Sequence, residues 1–357
     1  MPTPAFAQTD DFNAAYEATY GHPASDAFGT AAMYDSVYVV ALAAVAANSN
    51  DRAAIHDHIS LVANAPGDIT TYGSDAFSAA VTALSESSDV NYVGASGQVD
   101  IDANGELAKS SVQTWRVING TIAPIETRDI DLAAEAGIQL PAPSPASPPT
   151  ATPETELHIG VIVPDDDSGT ALSDAAKLAI SEINGAGGVW GKDVVLHVQT
   201  IGSADQASHA AGLLATDDSV SAIIGPTTLD AVSSALPTAA EANVPLLALT
   251  TDAGLSKLAD EKNMLYQMVP SDALQMPVLA NLYLEGFLPA PGTDSPAPTA
   301  APAGSVCIVF QAGDASKQMS ETFAKAMTFK KAAVRANVPF DPATVDYAAL
   351  LKDCIGS

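Results

Sequence analysis

The chain has 357 residues, 47% of them hydrophobic, which excludes a wholly disordered tail and allows two or three domains with a sizeable core. Its 14 Lys and Arg stand against 42 Asp and Glu, a formal net charge of −28, so no nucleic acid and no anionic surface is expected as a partner. No apolar run approaches the roughly 18 to 20 residues of a membrane helix; the longest, VYVVALAAVAA at 37–47, is shorter, and no direct membrane insertion is expected.

The first block, 1–131, opens with Ala5 and Ala7 in an Ala-x-Ala pattern that imitates a signal-peptidase site. No basic region or apolar core precedes it, so it reads as chance rather than a signal peptide. Helices are expected over 9–86: FNAAYEATYG ending at Gly21, a long apolar helix from 25 to 48, DRAAIHDHISLVAN and DAFSAAVTALSE. His56 and His58, two apart on a helix, diverge and read as surface histidines. Strands follow over 91–126, with turns at Ala103-Asn104-Gly105 and at the hairpin signal Asn119-Gly120. DIDANGELAKSS at 100–111 places Asp100, Asp102, Asn104 and Gly105 at calcium-loop offsets. Its twelfth position is Ser111 rather than Glu and its flanks are strands, so a hairpin turn and no metal is expected.

Residues 132–156, containing LPAPSPASPPTATPETE, read as an extended Pro-rich linker. The middle block, 157–287, alternates apolar runs of strand length with amphipathic helices. The runs are LHIGVIV (157–163), VVLHVQT (194–200), VSAIIG (220–225), VPLLAL (244–249) and MLYQMV (264–269), a series that predicts a doubly wound parallel α/β sheet. INGAGGVWGKDV at 183–194 has the glycines and lysine of a phosphate loop. It runs from helix to strand, with Ala186 and Asp193 at key positions, and is therefore a structural turn. A second Pro-rich stretch spans 288–304. The block 305–357 offers a strand SVCIVFQ, a helix near 316–335 and a βα unit whose next strand is missing; Cys307 and Cys354 permit one disulfide or two free thiols.

LHIGVIVPDDDSGTALSDAAKLAISEINGAGGVWGKDVVLHV, AIIGPTT, EANVPLLALTT and YQMVPSD together resemble the N-terminal lobe of type I periplasmic solute-binding proteins, nearest the leucine/isoleucine/valine-binding receptors of ABC importers. AFGTAAMYDSVYVVALAAVAANSND is similar to the family's long helix returning to the first lobe, and YVGASGQVDIDANGELAKSSVQTWRVING to the closing hairpins of the second. The family's C-terminal half thus precedes its N-terminal half. This implies two doubly wound parallel-sheet lobes in permuted or tandem-fragment order, with lobe 1 over 157–287 and an incomplete, truncated lobe 2 starting at 305. Packing of the two halves on each other is expected, because each alone exposes apolar faces.

Ligands of open parallel sheets sit at the carboxyl ends of strands, here Pro164 to Gly169, Gly225 to Thr228 and Leu249 to Asp252. Ser168, Thr227, Thr228, Thr250 and Thr251 are the candidate ligand-binding residues; the alternative is that these hydroxyls only cap helices. By resemblance, GPTT matches the family's Gly-x-Ser-Ser/Thr loop and LTTDAGLS its Ser-x-Ala-Thr loop, one residue short. Asp165, Asp166 and Asp167 read as solvated loop acids. Phe28 and Tyr34 are cleft candidates for which buried helix packing is the favoured role, and Ala315 and Ser316 stand where the second lobe often has an aromatic. The resemblance implies capture of a small polar solute, an amino acid or amide, for an ABC permease, in a periplasmic or extracellular setting. A ligand-sensing receptor domain is the alternative. No nucleophile-and-base motif occurs, so no enzyme, catalytic residue or cofactor is expected; an enzyme is the weakest reading.

Overall fold

A computed structural model describes residues 5–6, 10–118, 121–132, 134, 155–216, 220–260, 262–285, 305–343, 345–346, 348–350 and 352. In chain order these form β1 (Ala5–Phe6), α1 (Asp10–Tyr20), α2 (Thr30–Ala47), α3 (Arg52–Ala63), β2 (Asp68–Thr70), α4 (Ser74–Ser85), β3 (Val90–Gly94), β4 (Gly97–Gln98), β5 (Lys109–Ile118) and β6 (Thr121–Asp131). Then come β7 (Leu157–Pro164), α5 (Asp167–Gly185), β8 (Val194–Ile201), α6 (Ala207–Thr216), β9 (Val220–Ile224), α7 (Leu229–Glu241), β10 (Leu246–Ala248) and β11 (Leu265–Gln267). The last four are α8 (Asp272–Glu285), β12 (Ser305–Gln311), α9 (Asp314–Phe329) and β13 (Ala333–Phe340). The turn residues Asn119 and Gly120, the Pro-rich segments 135–154 and 286–304, and Cys354 lie outside the described residues.

Two compact units result: residues 3–131 with 139–271, and residues 132–138 with 272–357. The first is built on an all-parallel sheet of order β11-β10-β9-β7-β8. Successive side chains of a strand alternate between faces. Ile162 of β7 joins Ala211, Leu214, Val232 and Leu236 of α6 and α7 in one apolar cluster. Its neighbours Val161 and Val163 are buried on the opposite face, where α2 and α5 pack against β7. The result is three layers, each covering apolar strand surface that water would otherwise meet.

Helix α2 is apolar on almost every side, as a helix at the centre of a fold must be, and 16 of its 18 residues are buried. Contrary to the expectation that no segment is long enough, it passes the length and apolarity test for a membrane span, yet 89% of it is enclosed by the protein. The rule that buried polar groups find partners governs its interior. Asp35, wholly enclosed, accepts hydrogen bonds from the Tyr92 hydroxyl (2.8 Å), the Ala95 and Ser96 amides (2.7 Å each) and the Ser96 hydroxyl (2.5 Å). Burial pushes its carboxyl up to about 6, against the pull of those four donors. The hydroxyls of Tyr34, next to Asp35, and of Tyr38, about one turn further on, both donate to Glu182 of α5.

Glu182 comes from the second block, and such contacts recur throughout this unit. The Arg52 guanidinium, at the start of α3, donates to the carbonyls of Val220 (2.9 Å), Ala215 (3.0 Å) and Ala242 (3.3 Å). Tyr16 donates to the Ala171 carbonyl (3.0 Å), Ser221 to Asn50 (2.7 Å), and the Gln267 amide to Gly105 (2.7 Å), beside the Glu106–Gln267 bridge that extends the sheet edge. The two blocks, far apart in sequence, are one folded body. In the 100–108 turn, Asp102 accepts from the Asn104 and Glu106 amides.

Several local expectations change. His58 is buried, on the α3 face that carries Ile55, Ile59 and Val62, and its Nδ1 meets the Ala54 carbonyl at 2.7 Å, so it is no surface residue. Phe28 is 46% exposed rather than packed, whereas Tyr34 is buried. The long helix begins at Thr30 because Gly29 turns into the left-handed region (φ 85°).

The second unit pairs β12 with β13 in parallel and packs Met276 and Ala280 of α8 against Phe323 and Met327 of α9. Helix α8, which the sequence places with the preceding lobe, belongs here for that reason. The helix expected near 316–335 ends at Phe329, and Ala333–Phe340 supplies the strand expected to be missing, its alternating exposure marking strand period. Cys307 is disulfide-bonded, and the chain's other cysteine is Cys354.

Candidate functional site

Read in chain order, the parallel strands of the first unit stand 2-1-3-4-5, so connections leave in opposite directions between β7 and β9. At such a switch point the carboxyl ends of the strands leave a crevice that adjacent crossovers do not fill. The loops after β7 and β9 flank it, and the loop after β10 adjoins them: the Gly225 amide donates to the Leu247 carbonyl (2.7 Å) and the Leu249 amide to Pro226 (3.0 Å). Gly225 is fixed as glycine by geometry. Its φ is +89°, and a Cβ there would stand 2.2 Å from the Ile162 carbonyl oxygen.

The five sequence-predicted residues all fall on this rim, in three different settings. Ser168, half-buried in the first turn of α5, donates to Asp166 at 2.5 Å. Thr228, exposed, is the N-cap of α7, its hydroxyl accepting from the Ala231 amide at 3.4 Å; Thr227 beside it is half-buried. Thr250 is buried, and its Oγ1 accepts from the Asp252 amide at 3.3 Å, while Thr251 is half-buried. The capping alternative therefore describes Thr228, while Thr250 closes a local turn with Asp252 rather than capping a helix, and a hydroxyl that accepts one bond retains a hydrogen to donate.

Of the three acids, Asp166 is more than a solvated loop residue. It is the N-cap of α5, accepting from the Gly169 amide at 3.0 Å, and the hydrogen bonds from Ser168 and Gly169 hold its carboxyl below the usual carboxylate range. Asp165 and Asp167 are exposed. With Asp230 and Asp252 they give the rim five carboxylates, and the three loops contain no Lys or Arg.

Gln267 carries no signal in the local sequence, whereas Phe28 is one of the cleft candidates named from it. Gln267, buried at the end of β11, donates its side-chain amide to the Thr250 carbonyl at 2.6 Å and so pins the β10 loop from the neighbouring strand. Phe28, in the first block, directly precedes Gly29. A Cβ on the adjacent Gly29 would lie 3.8 Å from Leu172 and 4.0 Å from Leu249, the residue before Thr250.

A family model described as periplasmic binding protein matches residues 156–355, more than half of the chain. The chain belongs to the type I periplasmic binding protein family. Its fold is the family's α/β fold with a parallel sheet, and the family is one of solute binders rather than enzymes. A second model, the receptor family ligand binding region, matches residues 4–120. Among solved structures, it is similar to a branched-chain amino acid transporter substrate-binding protein from Streptococcus pneumoniae in complex with isoleucine (26% identity, 57% of this chain and 55% of that one, TM-score 0.43). It is also similar to an ABC transporter substrate-binding protein from Desulfitobacterium hafniense in complex with Leu (18%, 55% and 53%, 0.44). A third is a solute-binding protein of an ABC transporter from Rhodopseudomonas palustris in complex with 3,4-dihydroxybenzoic acid (15%, 55% and 50%, 0.42). The chain thus spans about half the length of these proteins. No curated protein matches it.

Proposed function

We propose that the chain captures a small polar solute, an amino acid or a related amide, at the carboxyl rim of the five-stranded sheet and delivers it to an ABC permease in the periplasm or outside the cell. The observation that carries this reading is the rim itself. Hydroxyls of Ser168, Thr227, Thr228, Thr250 and Thr251 stand at the switch point between two helix N-termini, a setting suited to a carboxylate, while the five carboxylates around them disfavour a ligand of net negative charge. A zwitterion or a neutral amide satisfies both conditions. Phe28 supplies an apolar wall at the same edge. Calorimetric titration of the chain with a panel of amino acids, their amides and benzoate-type anions tests it: heat from zwitterions or amides and none from monoanions is expected. A folded sample that binds none of the panel refutes it.

The receptor-family match over residues 4–120 favours a second reading, a ligand-sensing domain with the same rim. Stimulation of a reconstituted importer's ATPase by the loaded protein supports import. Ligand binding without such stimulation supports sensing.

A further inference from the structure

Gln267 holds the loop after β10 from the side away from the switch point. It ends β11 opposite Ala248 of β10, and its buried side-chain amide reaches two residues past that partner to the Thr250 carbonyl at 2.6 Å. Its own backbone is fixed on both flanks: the Gln267 amide donates to the Gly105 carbonyl (2.7 Å) and the next amide, that of Met268, to Ala248 (2.9 Å). The turn from the first block lies this close because residue 105 is glycine; a Cβ there would stand 2.2 Å from the Leu265 carbonyl oxygen. The Thr250–Thr251 peptide is trans, so its carbonyl and its N–H point in opposite directions. With the carbonyl turned to Gln267 of β11, the Thr251 N–H is turned away from that strand, and on the other side of β10 stands β9 with the Gly225 to Thr228 loop. Thr251 is half-buried, and among the described residues nothing accepts a hydrogen bond from its N–H. A half-buried backbone donor without a protein acceptor is uncommon, and it is available to an acceptor from outside the chain.

We propose that Gln267 is a positioning residue for the solute: by holding the Thr250 carbonyl it presents the Thr251 N–H to the crevice, and so selects solutes that offer an oxygen acceptor there, a carboxylate or an amide carbonyl. The inference rests on the solute-binding reading given above for the same rim and adds the residue that sets its preference. Gln267 acts through the peptide, not by touching the solute. Glutamine suits this task because its amide donates without carrying charge. A glutamate in its place would set one acceptor against another, and a lysine would add a cation behind the rim. A donor already held in its binding orientation loses no freedom when the solute arrives, which strengthens the bond it makes. Asp165, Asp166, Asp167, Asp230 and Asp252 repel an approaching acceptor, so a directed N–H has the more to offset.

The test uses the full chain and calorimetry with the common amino acids, each beside its amide and the amine left when its carboxyl is removed. The wild type should bind at least one amino acid or amide, and the matching amine at least about ten-fold more weakly, as the loss of a hydrogen bond to a charged group requires. Gln267→Met keeps the length and has no donor, and should weaken that amino acid or amide at least about ten-fold. Gln267→Glu keeps the shape and donates only when protonated, which burial favours. Relative to the wild type at the same pH, it should bind within about three-fold at pH 5 and at least about ten-fold more weakly at pH 8. Dividing by the wild type removes the titration of Asp102, Glu106 and Asp252, which both proteins share. A role in folding alone would give Gln267→Glu the same ratio at both pH values. That result, affinity within about three-fold of the wild type in a folded Gln267→Met variant, or an amine bound as tightly as its amino acid overturns this proposal and leaves the solute-binding reading standing. A folded wild type that binds none of the probes overturns both.

Discussion

Replacing Arg52 by alanine should loosen the first block from the sheet it covers. Its guanidinium reaches three carbonyls, those of Ala215, Val220 and Ala242, near the ends of α6 and α7 and at the start of β9. A hydrogen bond to a charged group contributes about 1.5 to 3 kcal/mol. The side chain is half-buried and the three bonds share one group, so the sum must be discounted, leaving a loss of about 3 kcal/mol. For a unit of this size each kcal/mol shifts the melting temperature by about 2 to 4 °C, so circular dichroism should record a fall of about 6 to 12 °C. Lysine at the same position keeps the charge but has no planar fork, and Arg52→Lys should recover less than half of the loss. A fall of under about 2 °C in Arg52→Ala would mean that residues 1–131 are not held to the sheet through this contact, against the single-body account.

Three further outcomes are expected. Asp35 titrates at about 6 when folded against an ordinary 3.8, so the folded state holds its proton more tightly between those values. Stability should therefore fall as pH rises from 3.8 to 6, by about 3 kcal/mol over the 6 − 3.8 = 2.2 units. Urea midpoints at pH 4 and pH 7 should show that slope in the wild type and not in Asp35→Asn; equal slopes would refute it. Gly225→Ala should cost at least about 2 kcal/mol, from the strained φ and the overlap with the Ile162 carbonyl, and a variant of wild-type stability in denaturant would show that the loop is not so constrained. Phe28→Ala should weaken solute binding about ten-fold with little change in melting temperature, since the ring is 46% exposed; a large loss of stability with unaltered affinity would assign it to packing.

The parallel sheet was legible because each strand is a short apolar run between helices of clear period, and the whole rim follows from strand order. Strand ends were less so. VPLLAL shrinks to Leu246–Ala248 because the Val244 amide is spent on the Ala239 carbonyl, closing α7, and Pro245 has no amide to give. Contacts between distant segments were hidden altogether. Gln267 behind Thr250, Asp35 beneath Tyr92 and His158 against His197 are pairs that no local pattern announces. Helix α8 had the composition of a first-lobe helix and was placed by its partner, the apolar side of α9. His58 reads as a surface residue because it diverges from His56 two places away, yet helical period puts it with Ile55, Ile59 and Val62.

The central claim is that the rim hydroxyls bind the solute, and the variant carrying both Thr228→Val and Thr251→Val tests it most directly. Loss of the α7 cap costs about 1 kcal/mol, so the protein should remain folded with a slightly lower melting temperature. Two hydrogen bonds to a charged group, at about 1.5 to 3 kcal/mol each, correspond to more than about a 100-fold loss of affinity. Titration of the folded double variant with the solute that binds the wild type should therefore give no measurable heat. Affinity within about three-fold of the wild type would place the solute elsewhere.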